Sequence, residues 1–134
     1  MAISLILETS FLIDLERERL AQSEGSAHRF LERYSDSHLF VTETIAGEIA
    51  AGAPTNSRSL WETFLAPFGV LPIDRGVAWQ YGRIYRYLRS NGMLIGNNDL
   101  WIAATAVTHA YPVVTKDADH YRRVPDLDVL MYDE

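Results

Sequence analysis

The chain has no cysteine, so it forms no disulfide and offers no thiolate to a metal. That absence is compatible with a reducing compartment. Long hydrophobic runs are missing as well. The apolar stretch near the N-terminus is interrupted by Glu8 and Asp14 and follows no basic segment. Neither a signal peptide nor a membrane span is expected, and a cytoplasmic location is the default. Proline and glycine are sparse, 5 and 8 residues in 134, and gather into no linker or low-complexity tract. With no internal repeat either, one domain over residues 1–134 is expected, large enough to bury a core. Basic charge is in deficit: 12 Lys and Arg against 18 Asp and Glu leave a net charge of −6. This argues against broad electrostatic binding to a nucleic-acid backbone, though local patches remain possible. The same imbalance suits a chain that gathers carboxylates around a hard cation.

What is present is an alternation of strand and helix patterns. Ile3-Ser4-Leu5-Ile6-Leu7 has the length and apolar character of a buried parallel strand. Glu8 closes it, and Thr9 or Ser10 is placed to cap the helix that follows, in which Phe11, Leu12, Leu15 and Leu20 share a helical pattern. Further helices are predicted over 27–34, from a Thr42 cap to about Ala51, over 56–64 with Leu60, Phe64 and Leu65 inward, and over 75–89 behind an Asp74 cap. Gly52-Ala53-Pro54 is expected to end the helix that Thr42 caps. A last helix, 99–110, opens at Asn97 or Asn98 and is apolar almost all round, hence buried. Strands are predicted at 38–41, 69–73, 111–115 and 127–131, with 116–126 a polar connection. This order implies an α/β fold with a parallel sheet covered on both faces.

Four acidic positions stand out. Glu8 and Asp117 follow strands, Asp99 lies in the first turn of the buried helix, and Glu48 lies inside the third helix. Open parallel sheets collect such strand and helix ends along one edge. Carboxylates gathered there repel one another unless a cation compensates, and oxygen-only ligands suit Mg²⁺ or Mn²⁺. Each also has an ordinary reading: Asp99 as a helix N-terminal charge, Asp117 and Asp119 as turn residues, Glu48 as a solvated helix face. Glu8 is the least ordinary, because a carboxylate closing a core strand is costly unless paired or functional. No P-loop, dinucleotide fingerprint or nucleophile elbow occurs. The four histidines, His28, His38, His109 and His120, are scattered and expected to be structural or solvent-facing. Arg83, Arg86 and Arg89 form either a phosphate-gripping stripe or a solvated helix face, while Arg122 and Arg123 lie nearer the acidic edge.

These residues resemble a known family. Leu7-Glu8-Thr9-Ser10-Phe11-Leu12-Ile13-Asp14-Leu15 resembles the opening block of PIN domains, specifically the VapC-type toxins of toxin–antitoxin pairs. Glu48-Ile49-Ala50-Ala51-Gly52 and Asn98-Asp99-Leu100-Trp101-Ile102-Ala103-Ala104 are similar to the second and third blocks. Val113-Val114-Thr115-Lys116-Asp117, followed by His120-Tyr121-Arg122-Arg123-Val124-Pro125, resembles the fourth. The resemblance implies a PIN fold, with a parallel sheet of four to five strands flanked by helices. It implies a Mg²⁺- or Mn²⁺-dependent endoribonuclease acting on structured RNA such as tRNA. Glu8, Glu48, Asp99 and Asp117 then take the four acidic slots, Asp119 is a substitute for the last, and Ser10 supports the first carboxylate. Glu8, Asp99 and Asp117, with Asp119, are the metal ligands so implied, and Arg122 and Arg123 are candidates for RNA contact. A homodimer and a VapB-type antitoxin partner are implied too, with no membrane.

One residue departs from the pattern: the family has Asp in the first block, and this chain has Glu8. The extra methylene moves the carboxylate outward by about 1 Å, and a misplacement of that size can lower a rate about a hundredfold. Two rival readings follow from the residues. One is a PIN module that binds RNA or antitoxin without cleaving. The other is a phospho-receiver-like domain, which requires an acceptor Asp closing a central strand, with Asp74 as its candidate.

Overall fold

The computed structural model describes residues 2–52 and 55–133. Five parallel strands, β1 (Ser4–Leu7), β2 (His38–Thr42), β3 (Gly69–Leu71), β4 (Val113–Val114) and β5 (Val129–Leu130), form one sheet in the order β3-β2-β1-β4-β5. The helices are α1 (Thr9–Leu20), α2 (Ser26–Arg33), α3 (Glu43–Ala50), α4 (Arg58–Leu65), α5 (Arg75–Ser90), α6 (Asn97–His109) and α7 (Ala118–Arg122). This is the expected α/β architecture, a parallel sheet flanked by helices.

β1 lies at the centre, with Ser4 opposite His38 on one side and Ile6 opposite Val113 on the other. A neighbour on both edges and helices on both faces explain its unbroken apolar run, and Leu5, Ile6 and Leu7 are fully buried. The chain steps outward from β1 through β2 to β3, then returns to the far side for β4 and β5. The carboxyl ends of β1 and β4 therefore flank the point where strand order reverses, where such sheets open a crevice. Asp74, the candidate phospho-acceptor, follows β3, an edge strand, and its Oδ1 caps α5 by accepting the Val77 N–H at 2.9 Å.

Local capping explains most helix starts. Thr42 Oγ1 accepts from the Ile45 N–H at 3.1 Å and Ser57 Oγ from the Leu60 N–H at 3.2 Å, so the fourth helix begins two residues later than expected. The expected stop at Ala53-Pro54 lies outside the described residues. Leu60, expected inward, is exposed, as is Leu20, which shares the helical pattern of α1. Phe64 and Leu65, expected inward with it, do carry the inward face of α4. α5 and α6 pack antiparallel: Gly76 lies beside Thr108, and Tyr81 stacks on Trp101 with centroids 4.0 Å apart. Within α5, Val77, Ile84 and Leu88 are fully buried, and in α6 the run Ile102 to Ala106 is too.

Candidate active site

The site starts where β1 ends. Glu8 leaves the strand on an extended backbone and caps α1 with its own carboxylate, accepting the Ser10 N–H at 3.3 Å. The expectation that Thr9 or Ser10 caps this helix is thereby corrected. Both hydroxyls are engaged as donors: Ser10 Oγ to Glu8 Oε1 at 2.8 Å, and Thr9 Oγ1 to Glu48 Oε1 at 2.7 Å. Thr115 Oγ1 donates to the same Glu8 oxygen at 2.7 Å and accepts the Asp117 N–H at 3.0 Å. Each hydroxyl has a single proton, and Ser10 and Thr115 both commit theirs to Glu8. Their own 3.3 Å approach follows from the shared acceptor. The ends of β1 and β4 are thus locked together through one carboxylate.

Glu8 is 8% exposed. Burial pushes its pKa up, the bonds from Thr115 and Ser10 offset part of that rise, and the negative charge of Asp99 adds to it. Among the described residues no Lys or Arg forms an ion pair with it. Asp99, in the first turn of α6, is held on both oxygens: Tyr121 Oη donates to Oδ1 at 3.1 Å, and His120 Nδ1 lies 2.9 Å from Oδ2. Tyr121 is 1% exposed, and burial, followed by the charges of Glu8 and Asp99, drives its pKa far above that of a free phenol. It therefore stays protonated and acts as a donor. His120, read as structural or solvent-facing, is in fact a partner of Asp99. His120 and Tyr121 both lie on α7, behind Asp117 as its N-cap, a helix within the stretch expected to be polar connection.

Glu8, Asp99, Asp117, Asp119, Tyr121 and Arg122 line one cavity of about 430 Å³. Lys116 reaches the same wall, but its Nζ is paired with Asp14 Oδ2 at 3.1 Å. Glu48 does not line the cavity. It braces the site from α3, accepting from Thr9, next to Glu8, and lying 3.5 Å from the Nδ2 of Asn98, next to Asp99. Arg123 also turns elsewhere, toward the carbonyls of Met93 and Leu94 at 3.5 and 3.3 Å. Among the described residues, no three acidic or histidine side chains converge into a formed metal cage. The donor chemistry nonetheless suits a hard divalent cation: the carboxylates sharing the cavity are oxygen ligands, and positive charge there would relieve the repulsion between Glu8 and Asp99.

Comparison with known proteins agrees with this geometry. The PIN domain family model matches residues 5–127. Ribonuclease VapC of Rickettsia bellii is 32% identical over 130 residues, covering 94% of each chain. Ribonuclease VapC1 of Methanocaldococcus jannaschii is 29% identical over 132 residues, covering 97% of this chain and 88% of the relative. In fold, the chain is similar to VapBC2 from Rickettsia felis bound to a promoter DNA fragment. That likeness has a TM-score of 0.79 at 20% identity and covers 98% of this chain and 100% of that one. The chain belongs to the PIN-domain family and, within it, to the VapC toxins of toxin–antitoxin systems.

Proposed function

We propose that this chain is a single PIN domain acting as a Mg²⁺- or Mn²⁺-dependent endoribonuclease, the toxin of a VapBC-type pair, hydrolysing phosphodiester bonds of structured RNA such as tRNA. The observation that carries the reading is the one cavity at the strand-order reversal onto which Glu8, Asp99, Asp117 and Asp119 all open. Its VapC relatives are named ribonucleases, which supports the same chemistry. Glu8, Asp99 and Asp117 would hold the metal, with Asp119 the alternative to Asp117. Such an ion, when bound, supplies Lewis acidity and an activated water for phosphoryl chemistry.

The chain's own residues set the geometry. Ser10 and Thr115 fix Glu8 by one oxygen and leave the other with only a 3.3 Å backbone contact. Tyr121 and His120 fix the plane of Asp99. Glu48 braces the backbone beside both carboxylates through Thr9 and Asn98. Arg122, on the cavity wall, is the cation placed to meet a substrate phosphate. A VapB-type antitoxin and a homodimer complete the proposal, the antitoxin by analogy with the VapBC complexes of Rickettsia felis. No helix among the described residues is long and apolar enough to cross a membrane.

The test is cleavage of cellular RNA with Mg²⁺ or Mn²⁺ and with chelator, using the native chain, Glu8→Asp and Asp99→Asn. Metal-dependent cleavage by the native chain, abolished in Asp99→Asn at unchanged melting temperature, is expected. Cleavage retained by Asp99→Asn refutes the site. A second reading, a module that binds RNA or antitoxin without cleaving, is motivated by Glu8, which stands where the family pattern has Asp. Cleavage by Glu8→Asp alone would support it, and equal cleavage by both chains would remove it.

A further inference from the structure

In a chain of net charge −6, one helix is wholly basic. α5 carries Arg75, Arg83, Arg86 and Arg89, a third of the 12 basic residues, and contains neither Asp nor Glu. Among the described residues none of the four forms an ion pair. Arg83 is held by Gln80 at 2.8 Å, and the Arg86 guanidinium lies 5.7 Å from the centroid of the Trp79 ring. Trp79 is 63% exposed, in a molecule that buries most of its other large apolar groups. The inner face of α5 is already occupied by its packing against the core, through Val77, Ile84 and Leu88. What remains outside is a stripe at helical spacing, Arg75, Trp79, Arg86 and Arg89, which offers cations and an indole together. Those two groups hold a nucleic-acid strand, phosphates by charge and bases by stacking.

The stripe also leads to the right place. α5 runs antiparallel to α6, Tyr81 Oη lies 3.4 Å from Asn97 Oδ1, and only residues 91–96 separate the end of α5 from the start of the helix that carries Asp99. From Arg75 to Arg89 the helix rises about 21 Å, long enough to track a short unpaired segment of several nucleotides. We infer that the solvent face of α5 is a track for an unpaired RNA segment, which it delivers to the cavity at Asp99. This rests on the nuclease reading and assigns it a substrate-gripping surface apart from the acidic cavity.

The experiment measures binding, so that its failure is separable from failure of cleavage. The Asp99→Asn chain, in chelator, is titrated with a labelled 20-nucleotide oligouridylate across a salt series. It is compared with the same chain carrying either Arg75→Gln/Arg86→Gln/Arg89→Gln or Trp79→Ala. The triple variant should lose at least tenfold in affinity at low salt. The slope of log affinity against log salt should fall in magnitude by about 2, at roughly 0.7 per lost phosphate contact. Trp79→Ala should lose about fivefold or more with its salt slope unchanged. Melting temperatures should match throughout, because these side chains are on the surface. Unchanged affinity and slope in the triple variant overturn the track and leave the nuclease reading standing. No RNA binding by the Asp99→Asn chain overturns it as well, whereas the nuclease reading falls only if the native chain shows no metal-dependent cleavage. If the triple substitution splits a dimer in sedimentation while RNA binding is unchanged, the face is an interface between copies and the track is refuted.

Discussion

Glu18 offers a quantitative test of how the helical layer beside β1 is held. The N-cap position of α2 is Gly25, which has no side chain to cap the helix. Glu18, near the end of α1, supplies the missing acceptors. Its Oε1 takes the Gly25 N–H at 2.8 Å and the His28 N–H at 3.0 Å and lies 2.7 Å from His28 Nδ1, while Oε2 takes the Ala27 N–H at 3.1 Å. Burial raises the carboxyl pKa, but the bonds from His28, Ala27 and Gly25 outweigh it and hold the value at about 2, against an ordinary 4.5. At 1.36 kcal/mol per unit this is at most about 3 kcal/mol, and solvent screening of a partly exposed group reduces it to about 1–2 kcal/mol. The folded pKa is the lower one, so this stabilisation is complete above about 4.5 and is lost as pH falls toward about 2. Urea unfolding of the native chain and of Glu18→Gln from pH 6 to pH 3 should show a gap of about 1–2 kcal/mol that narrows with acid, at constant m-value. A gap independent of pH would refute the reasoning. Gly25→Ala should behave as the same lesion, because its Cβ would stand 2.7 Å from Glu18 Cδ and Oε2. The two substitutions together should therefore cost little more than the larger alone.

Three further outcomes follow. Thr115→Val removes a donor from buried Glu8 and the acceptor for the Asp117 N–H, and should lower stability by about 1–3 kcal/mol in chemical denaturation. Tyr121→Phe leaves Asp99 held by His120 alone, and should weaken Mn²⁺ binding about 10- to 100-fold by calorimetry; an unchanged affinity would show that Tyr121 does not orient that carboxylate. Leu88→Ala, at a fully buried position of α5, should cost about 2–5 kcal/mol by urea unfolding without altering the acidic cavity.

The sequence was most legible where physics is local. The caps of Thr42 and Asp74 were visible because an oxygen three residues from its donor needs no tertiary context. The apolar run of β1 implied burial on both faces, and a parallel sheet with a central strand supplies it. Helical spacing assigns a face without saying whether anything covers it, which is why Leu20 and Leu60 carry the right period and yet meet solvent. The cap of α1 lies at Glu8, one residue before the expected Thr9 or Ser10, for a different reason. Thr9 and Ser10 are good caps intrinsically, but Glu48 and Glu8 engage their hydroxyls as donors, and only the folded chain brings Glu48 to Thr9. The acidic positions could be named from the chain alone. The pairing of Asp99 with His120 and Tyr121 spans 21 and 22 residues and had no local signature.

The placement of β1 has a consequence for the life of the chain during synthesis. Its central strand is made first, yet one of its two neighbours, β4, begins only at Val113, and Glu8 meets Thr115 across 107 residues. Contacts so distant in sequence form late, because the loop must close before they contribute. At about 5–20 residues per second, roughly 5–20 s of translation separate the two halves of the acidic pocket. A ribosome-bound fragment ending before α6 has Glu8 and Glu48 but neither Asp99 nor Asp117. Under the nuclease function proposed above, such a fragment lacks half of the acidic pocket and leaves the message and ribosome producing it untouched until the last third of the chain has been made.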